Sequence, residues 1–331
     1  MSTAYLFSIL ATAAIFTLLA LSLNIITGYA GQAMMGIAAF FGVGAYTAAI
    51  ITTSGGSFWL ALIAGMVVAG LFGIVLGFIS LRLQADFLAI TTIGINFVMV
   101  AIFNRLTITG GTLGLTTAKP VLFGIKFTNK EFFFLTVIVI VIVCLLIRKM
   151  NKSWFGMALA SIENDAGAAR SFGIDVAKYQ ILAFTIGCAL AGLAGGLYAH
   201  RMGFISSSDF AFVVSIQVVS MVVIGGLKTI RGPIFGALLL SSLPEILRFA
   251  DNYRELVYAL LLVIMVRFMP QGLIGEDSPV WNLLVKLWRK IKPRKKTRAD
   301  LIAESVNEVK AEAVESAEAA IEPVAEGKEA E

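Results

Sequence analysis

Histidine and cysteine are almost absent from this 331-residue chain: His200 stands alone, and Cys144 and Cys188 are its two thiols. Both cysteines fall inside apolar runs, where a thiol behaves as a small hydrophobe rather than as a disulfide, ligand or nucleophile. A zinc protease or a Cys/His hydrolase therefore lacks its parts, and no serine has a base nearby in the pattern. His200, at the end of an apolar run beside Arg201, reads as an interfacial side chain. Charge is scarce as well. Only 14% of residues are charged against 58% apolar, and the mean hydropathy is +0.89, which excludes an ordinary soluble domain. No Lys or Arg precedes Arg82, so the first apolar run lacks the charged start of a signal peptide and is expected to remain in the mature chain.

What charge there is collects at one end. Residues 281 to 331 hold 10 of the 26 Lys and Arg and 10 of the 21 Asp and Glu. Eight basic residues lie between Lys286 and Arg298 with no acid among them; ten acids and two lysines follow from Asp300 onward. A basic cluster directly after the last apolar run reads as a headgroup contact that fixes that end in the cytoplasm. The Ala- and Glu-rich stretch 299–331 reads as a solvated, disordered tail. Three regions follow: a membrane domain over 1–280, a basic juxtamembrane segment over 281–298, and the acidic tail.

The expected fold is all-α, a polytopic transmembrane bundle of about nine spans, within a range of eight to ten. Apolar runs near the bilayer-crossing length cover 4–26, 33–52, 58–81, 87–103, 131–147, 180–200, 211–226, 233–248 and 254–269. With the C-terminus inside, nine Lys and Arg before residue 281 fall on the cytoplasmic side and seven outside, and an odd span count puts the N-terminus outside. Gly65, Ala69, Gly73 and Gly77 recur every four residues, as do Gly187, Ala191, Gly195 and Ala199. That spacing puts small groups on one face of a helix, where backbones can approach closely within lipid. Two segments, Thr27 to Gln32 and Gly225 to Pro233, interrupt the apolar pattern. Each is either broken backbone lining a protected pathway or a plain turn between spans, and the lysine and arginine of the second favour the turn. Polar residues within spans, chiefly Asn24, Gln32, Asn96 and Gln217, serve either as interhelical hydrogen-bonders or, with Gly31, as pathway residues.

The longest polar interval on the cytoplasmic side is 148–179. Within it Gly156 to Phe172 reads as one amphipathic helix, with Leu159, Ile162, Ala166 and Ala169 on its apolar face and Glu163, Asp165 and Arg170 elsewhere. Gly173 follows as a left-handed C-cap and Asp175 as the N-cap of the next helix. Two acids against a single arginine suit a protein groove better than a lipid surface.

These residues carry a resemblance. Gly156-Met157-Ala158-Leu159-Ala160-Ser161-Ile162-Glu163-Asn164-Asp165, the following Ala168 to Asp175, and Ala189 to Leu197 are similar to the permease of branched-chain amino-acid ABC importers, the LIV-M type. Gly28-Tyr29-Ala30-Gly31-Gln32, Ala38 to Tyr46, Thr109 to Leu115, Met221 to Gly226, Arg231-Gly232-Pro233, Leu243-Pro244-Glu245 and Pro270 to Leu273 follow in family order, over about residues 20 to 275. One departure is Gly36-Ile37, where family members often carry a histidine. The resemblance implies a multi-pass subunit of the inner membrane that pairs with a second permease, two ATP-binding subunits and an extracytoplasmic solute-binding protein, and that needs no cofactor or metal. The loop helix would be the coupling helix, with Leu159, Ile162, Glu163, Asp165, Ala168 and Gly173 at or beside the ATPase contact. ATP hydrolysis would belong to the partners, since no G-x-x-x-x-G-K-[ST] sequence is present. The substrate would be a branched-chain or related amino acid, with urea or short amides as the alternative cargo. A self-sufficient secondary transporter or channel is the alternative class.

Overall fold

In a computed structural model, the described residues are 3–117, 121–122, 125–126, 129–246 and the single positions Val263, Arg267 and Gly272. They belong to one compact unit, Met1–Trp281; the second unit, Asn282–Glu331, with the expected basic segment and tail, lies outside them. Ten α-helices run in the order α1 (Thr3–Leu23), α2 (Ile37–Thr53), α3 (Phe58–Ser80), α4 (Ala85–Arg105), α5 (Asn129–Asn151), α6 (Trp154–Asn164), α7 (Ala166–Ser171), α8 (Val176–Met202), α9 (Phe212–Gly225) and α10 (Arg231–Ile246). Eight of the nine apolar runs correspond to helices; the ninth, 254–269, falls outside the described residues apart from Val263 and Arg267. Six stretches are long and apolar enough to cross a bilayer: Tyr5–Tyr29, Phe58–Ser80, Asp86–Arg105, Lys130–Asn151, Val176–Met202 and Ser207–Gly225. The runs that form α2 and α10 give shorter apolar helices, so the described residues hold six helices of crossing length and two shorter ones against the expected nine or so spans.

The small-residue stripes explain how the helices meet. A methyl group at Gly73 would sit 2.7 Å from Cys188 Cβ, and one at Gly77 would sit 3.0 Å from Ile181 Cα, so α3 lies directly on α8. One turn further along, Gly192 faces Ala69 and the Gly65 carbonyl. The other α8 stripe turns elsewhere: Gly187 meets Ser22 and Ile26, and Gly195 meets the backbone of α2 at Phe41 and Ala45. Thus α8 is gripped on two faces through glycines. Close backbone approach is the main source of attraction available, because lipid is as apolar as the side chains themselves. Outward-facing positions of α3, Leu60, Ile63, Val67, Leu71, Val75 and Phe78, are exposed and apolar, as a hydrocarbon-facing surface requires. Gly94, by contrast, has open space where a side chain would go. Gly94→Ala is expected to leave the packing intact and raise stability by about 0.5–1 kcal/mol through reduced unfolded-state freedom, read as an unchanged or higher thermal midpoint in detergent.

Two helices begin inside the bundle rather than at its ends. Between the π-helical turn Asn24–Tyr29, which continues α1, and the start of α2, residues 31–36 form no regular helix or strand. The first N–H groups of a helix have no partner within it, and here a side chain from another helix takes one of them: Ala38 donates to Ser215 Oγ at 3.0 Å, while Met35, just ahead of the helix, donates to Thr92 Oγ1 at 3.0 Å. Before α9, the chain passes through the short strand β4 (Phe204–Ile205), paired with β1 (Leu115–Thr116), and a 3-10 turn Ser207–Phe210. Phe210 is fully buried among Phe41, Tyr46, Phe103 and Tyr198, with ring centroids 5.5–6.2 Å apart. His200 is also buried, hydrogen-bonded to the Gly196 carbonyl and edge-on to Phe58, rather than interfacial. A histidine at a span end can satisfy one nitrogen on its own helix, so it does not need the headgroup layer.

Candidate functional site

The loop between α5 and α8 folds as two helices, not as the single helix expected over Gly156 to Phe172. Asp165 breaks it: its backbone is extended (φ −156°, ψ 104°), and its Oδ1 accepts hydrogen bonds from Gly167 N at 2.8 Å and Ala168 N at 3.0 Å. An aspartate side chain offers these N–H groups an alternative to helical carbonyls, so α6 stops and α7 starts at the same residue. Gly173 closes α7 at φ +80°, with Ile174 N bonded to the Ala169 carbonyl at 3.1 Å, and Asp175 accepts from Lys178 N at 3.1 Å to start α8. Both caps stand where the sequence places them.

The apolar stripe holds this loop to the chain's own body. Ile162, Ala169 and Val176 bury one another, with Ala166, Ile174 and Tyr179 packed alongside. Leu159 joins the main core at 1% exposure. Leu159 and Ile162 therefore face inward. Asp165, Ala168 and Gly173 are exposed, together with Asn164, Arg170 and Phe172. Phe172 is 86% exposed, an aromatic ring held out beside a rigid cap.

Glu163 points the other way, into a junction of three distant segments. Its Oε1 lies 2.7 Å from Lys228 Nζ in the turn between α9 and α10. Gly31, at φ +66°, passes over the Glu163 side chain, where a Cβ would come within 2.8 Å of Glu163 Cγ. Asn24, fully buried in the π-helical turn, donates from Nδ2 to the Thr229 carbonyl at 2.8 Å and accepts from Lys228 N at 3.2 Å. Gly28 leaves the room for this, since any side chain there would overlap Asn24 Oδ1. Thr229 Oγ1 in turn donates to the Gly226 carbonyl at 3.2 Å and accepts from Gly232 N at 3.0 Å. The two interrupted segments of the sequence thus meet: the second is a turn, and the first provides the polar groups that clamp it. Lys228 is the one non-glycine with positive φ among the described residues, at +63°, a conformation that costs a residue with a Cβ about 1–2 kcal/mol.

The remaining polar positions form a second group deeper in the bundle. Asn96, fully buried, donates from Nδ2 to the Phe210 carbonyl at 3.3 Å, one turn along α4 from Thr92. Neighbouring residues of α4 therefore hold the recessed starts of α9 and α2. Gln32 donates to Ser80 Oγ at 3.3 Å and belongs to neither group. Gln217 is half-buried on α9, two residues from Ser215 and so on a different face of that helix. Ser215 escaped the sequence reading, and Lys228 and Thr229 entered it only as part of the Gly225–Pro233 turn, because each acts through a partner far away in the chain. No group of three His, Cys, Asp or Glu side chains is placed to hold a metal among the described residues.

Comparison with known proteins gives this geometry a family. The profile of the family described as branched-chain amino acid transport system / permease component matches residues 5–269. The high-affinity branched-chain amino acid transport system permease protein LivM of Escherichia coli (strain K12) is 34% identical over 297 residues, covering 81% of this chain and 70% of LivM. The probable branched-chain amino acid transport permease protein LivH of Methanocaldococcus jannaschii is 29% identical over 219 residues, 62% of this chain and 68% of that one. The fructose import permease protein FrcC of Rhizobium meliloti is 27% identical over 144 residues, 42% of this chain and 40% of FrcC. No solved structure matches. With a family profile spanning most of its length and a multi-helix fold apolar enough for repeated membrane crossing, this chain belongs to the branched-chain amino acid transport system permease family.

Proposed function

We propose that this chain is the membrane-spanning permease subunit of an ATP-binding-cassette importer. It passes a branched-chain or related amino acid from an extracytoplasmic binding protein, works beside a second permease, and is driven by two ATP-binding subunits through the α6–α7 loop. The observation that carries this reading is the two-sided character of that loop. Its apolar stripe is buried against the chain's own core, so a push on the loop is passed to that core, while Asp165, Ala168 and Phe172 stay exposed on a capped knob. A knob anchored on one side and bare on the other suits a protein groove.

Orientation follows from charge. The helix ends that share the loop's side of the bundle carry Arg82, Arg148, Lys149, Lys152, Arg170, Lys178, Lys228 and Arg231, while Arg105, Lys130 and Arg201 lie at the opposite ends. This supports a cytoplasmic loop and an N-terminus outside. Asn24, Gly31 and Glu163 then belong to the cytoplasmic junction, and Asn96 and Gln217 to the interior, where α2 and α9 begin and a pathway would run.

Cross-linking tests this reading. Ala168→Cys, in a background of Cys144→Ala and Cys188→Ala, should cross-link to an ATP-binding subunit in native membranes, whereas Leu113→Cys at the other end should not. A normally expressed Ala168→Cys chain that never reaches that subunit overturns the assignment. Uptake that persists after the partner's nucleotide site is disabled would instead identify a secondary transporter.

A further inference from the structure

We infer that Lys228 is a positioning residue of the transport cycle: through Glu163 it ties the position of α6 to the turn between α9 and α10. This inference rests on the reading of the α6–α7 loop as the ATPase contact. The junction has two kinds of bond. Asn24 and its partners are buried and uncharged, and they fasten the 226–230 turn to the end of α1. The Lys228 to Glu163 pair is different, since the lysine side chain is 54% exposed and the glutamate 23%. Ion pairs in that setting contribute little to stability and are free to open and close. The pair is therefore unsuited to holding the fold, and suited to a contact that is made in one arrangement of α6 and broken in another.

The backbone supports the same conclusion. Lys228 occupies a left-handed conformation in which glycine would be unstrained, and the chain places glycines at Gly225, Gly226 and Gly232 around it. The strained residue of this turn is thus the one whose side chain ends on Glu163. On the far side, Gly31 runs so close to the Glu163 stem that a Cβ there would stand 2.8 Å from Glu163 Cγ, so α6 lies against the end of α1. Displacement of α6 away from the membrane body is thus delivered first to Lys228, and from there to the last turn of α9 and the first of α10. Since α9 also carries Ser215, which caps α2, the turn is a lever arm onto the interior starts of the short helices.

The test uses the complete importer, permease pair, ATP-binding subunits and binding protein, reconstituted in liposomes, with uptake per ATP hydrolysed as the readout. Lys228→Gly removes the charge and relieves the backbone, so its thermal midpoint should equal or exceed wild type while uptake per ATP falls about fivefold or more. Glu163→Gln should fall similarly, Lys228→Arg should stay within about twofold of wild type, and the exchange of Glu163→Lys with Lys228→Glu should recover most of the loss. If Lys228→Gly transports at the wild-type ratio, or the exchange recovers nothing while Lys228→Arg is also impaired, the inference fails. Failure of the underlying reading looks different: the Ala168→Cys cross-link is absent, or wild-type uptake continues without ATP hydrolysis.

Discussion

Gly195→Val should remove the folded permease from the membrane. A side chain at this position collides with the Phe41 carbonyl and approaches Ala45 N to 2.8 Å, both of which are backbone atoms of α2. Backbone cannot swing aside as a side chain can. Nor can α8 retreat, because Gly192 on its neighbouring face already touches the Gly65 carbonyl of α3 at 2.5 Å, measured from where a Cβ would stand. Overpacking of a tight interface costs about 1–3 kcal/mol and sometimes more, and a branched residue wedged between two backbones belongs at or above the top of that range. Expected results are a drop of many degrees in the detergent melting midpoint and little monodisperse protein on size exclusion, with Gly195→Ala intermediate. A Gly195→Val chain that melts near wild type would mean that α2 and α8 do not approach as described.

Asn24→Leu should have the second-largest effect. Leucine fills a similar volume but supplies neither the donor for the Thr229 carbonyl nor the acceptor for Lys228 N, and both backbone groups are left against a buried, apolar neighbour. Each abandoned group costs about 1–3 kcal/mol, so the turn should detach from α1 rather than remain in place unsatisfied. Two measurements follow: uptake should fall at least tenfold, and the 226–230 turn should become open to limited proteolysis from the cytoplasmic side, in a protein that still inserts. Wild-type uptake together with an uncleaved turn would show that Asn24 is not the clamp.

Much of this architecture could be read in advance because it is written in local pattern. The apolar runs mark helices to within a few residues at most ends: 58–81 becomes Phe58–Ser80, and 211–226 becomes Phe212–Gly225. The glycine stripes, the Gly173 cap and the Asp175 cap are likewise properties of a few adjacent residues. Asp165 shows the limit. Its neighbours continue the helical apolar period on both sides, so periodicity favours one helix, and only the competition of its carboxylate for Gly167 N and Ala168 N decides for two. The run 33–52 misled in a similar way. Its first residues are apolar yet not helical, because Gly31 turns the chain and Thr92, from another helix, accepts from Met35 N just ahead of α2. Of the expected site residues, the sequence placed Leu159 and Ile162 on the correct apolar face, but only the fold reveals that this face belongs to the chain itself. The pairing of Asn24 with a turn two hundred residues away has no local signature at all.

The glycine contacts also bear on how the protein is made. Gly44 meets Gly192, and Gly73 meets Cys188, so the faces of α2 and α3 are complete only once α8 has been synthesised, more than a hundred residues later. At about 5–20 residues per second, those grooved faces wait roughly 6–30 s against lipid, or against the insertion machinery, before their partner emerges. During that interval α2, short and without a side-chain cap of its own, lacks Ser215 for its first turn and, until α4 follows, Thr92 for the residue ahead of it. The early part of the chain therefore leaves the ribosome as an unfinished assembly, and α8 is the element whose arrival closes it.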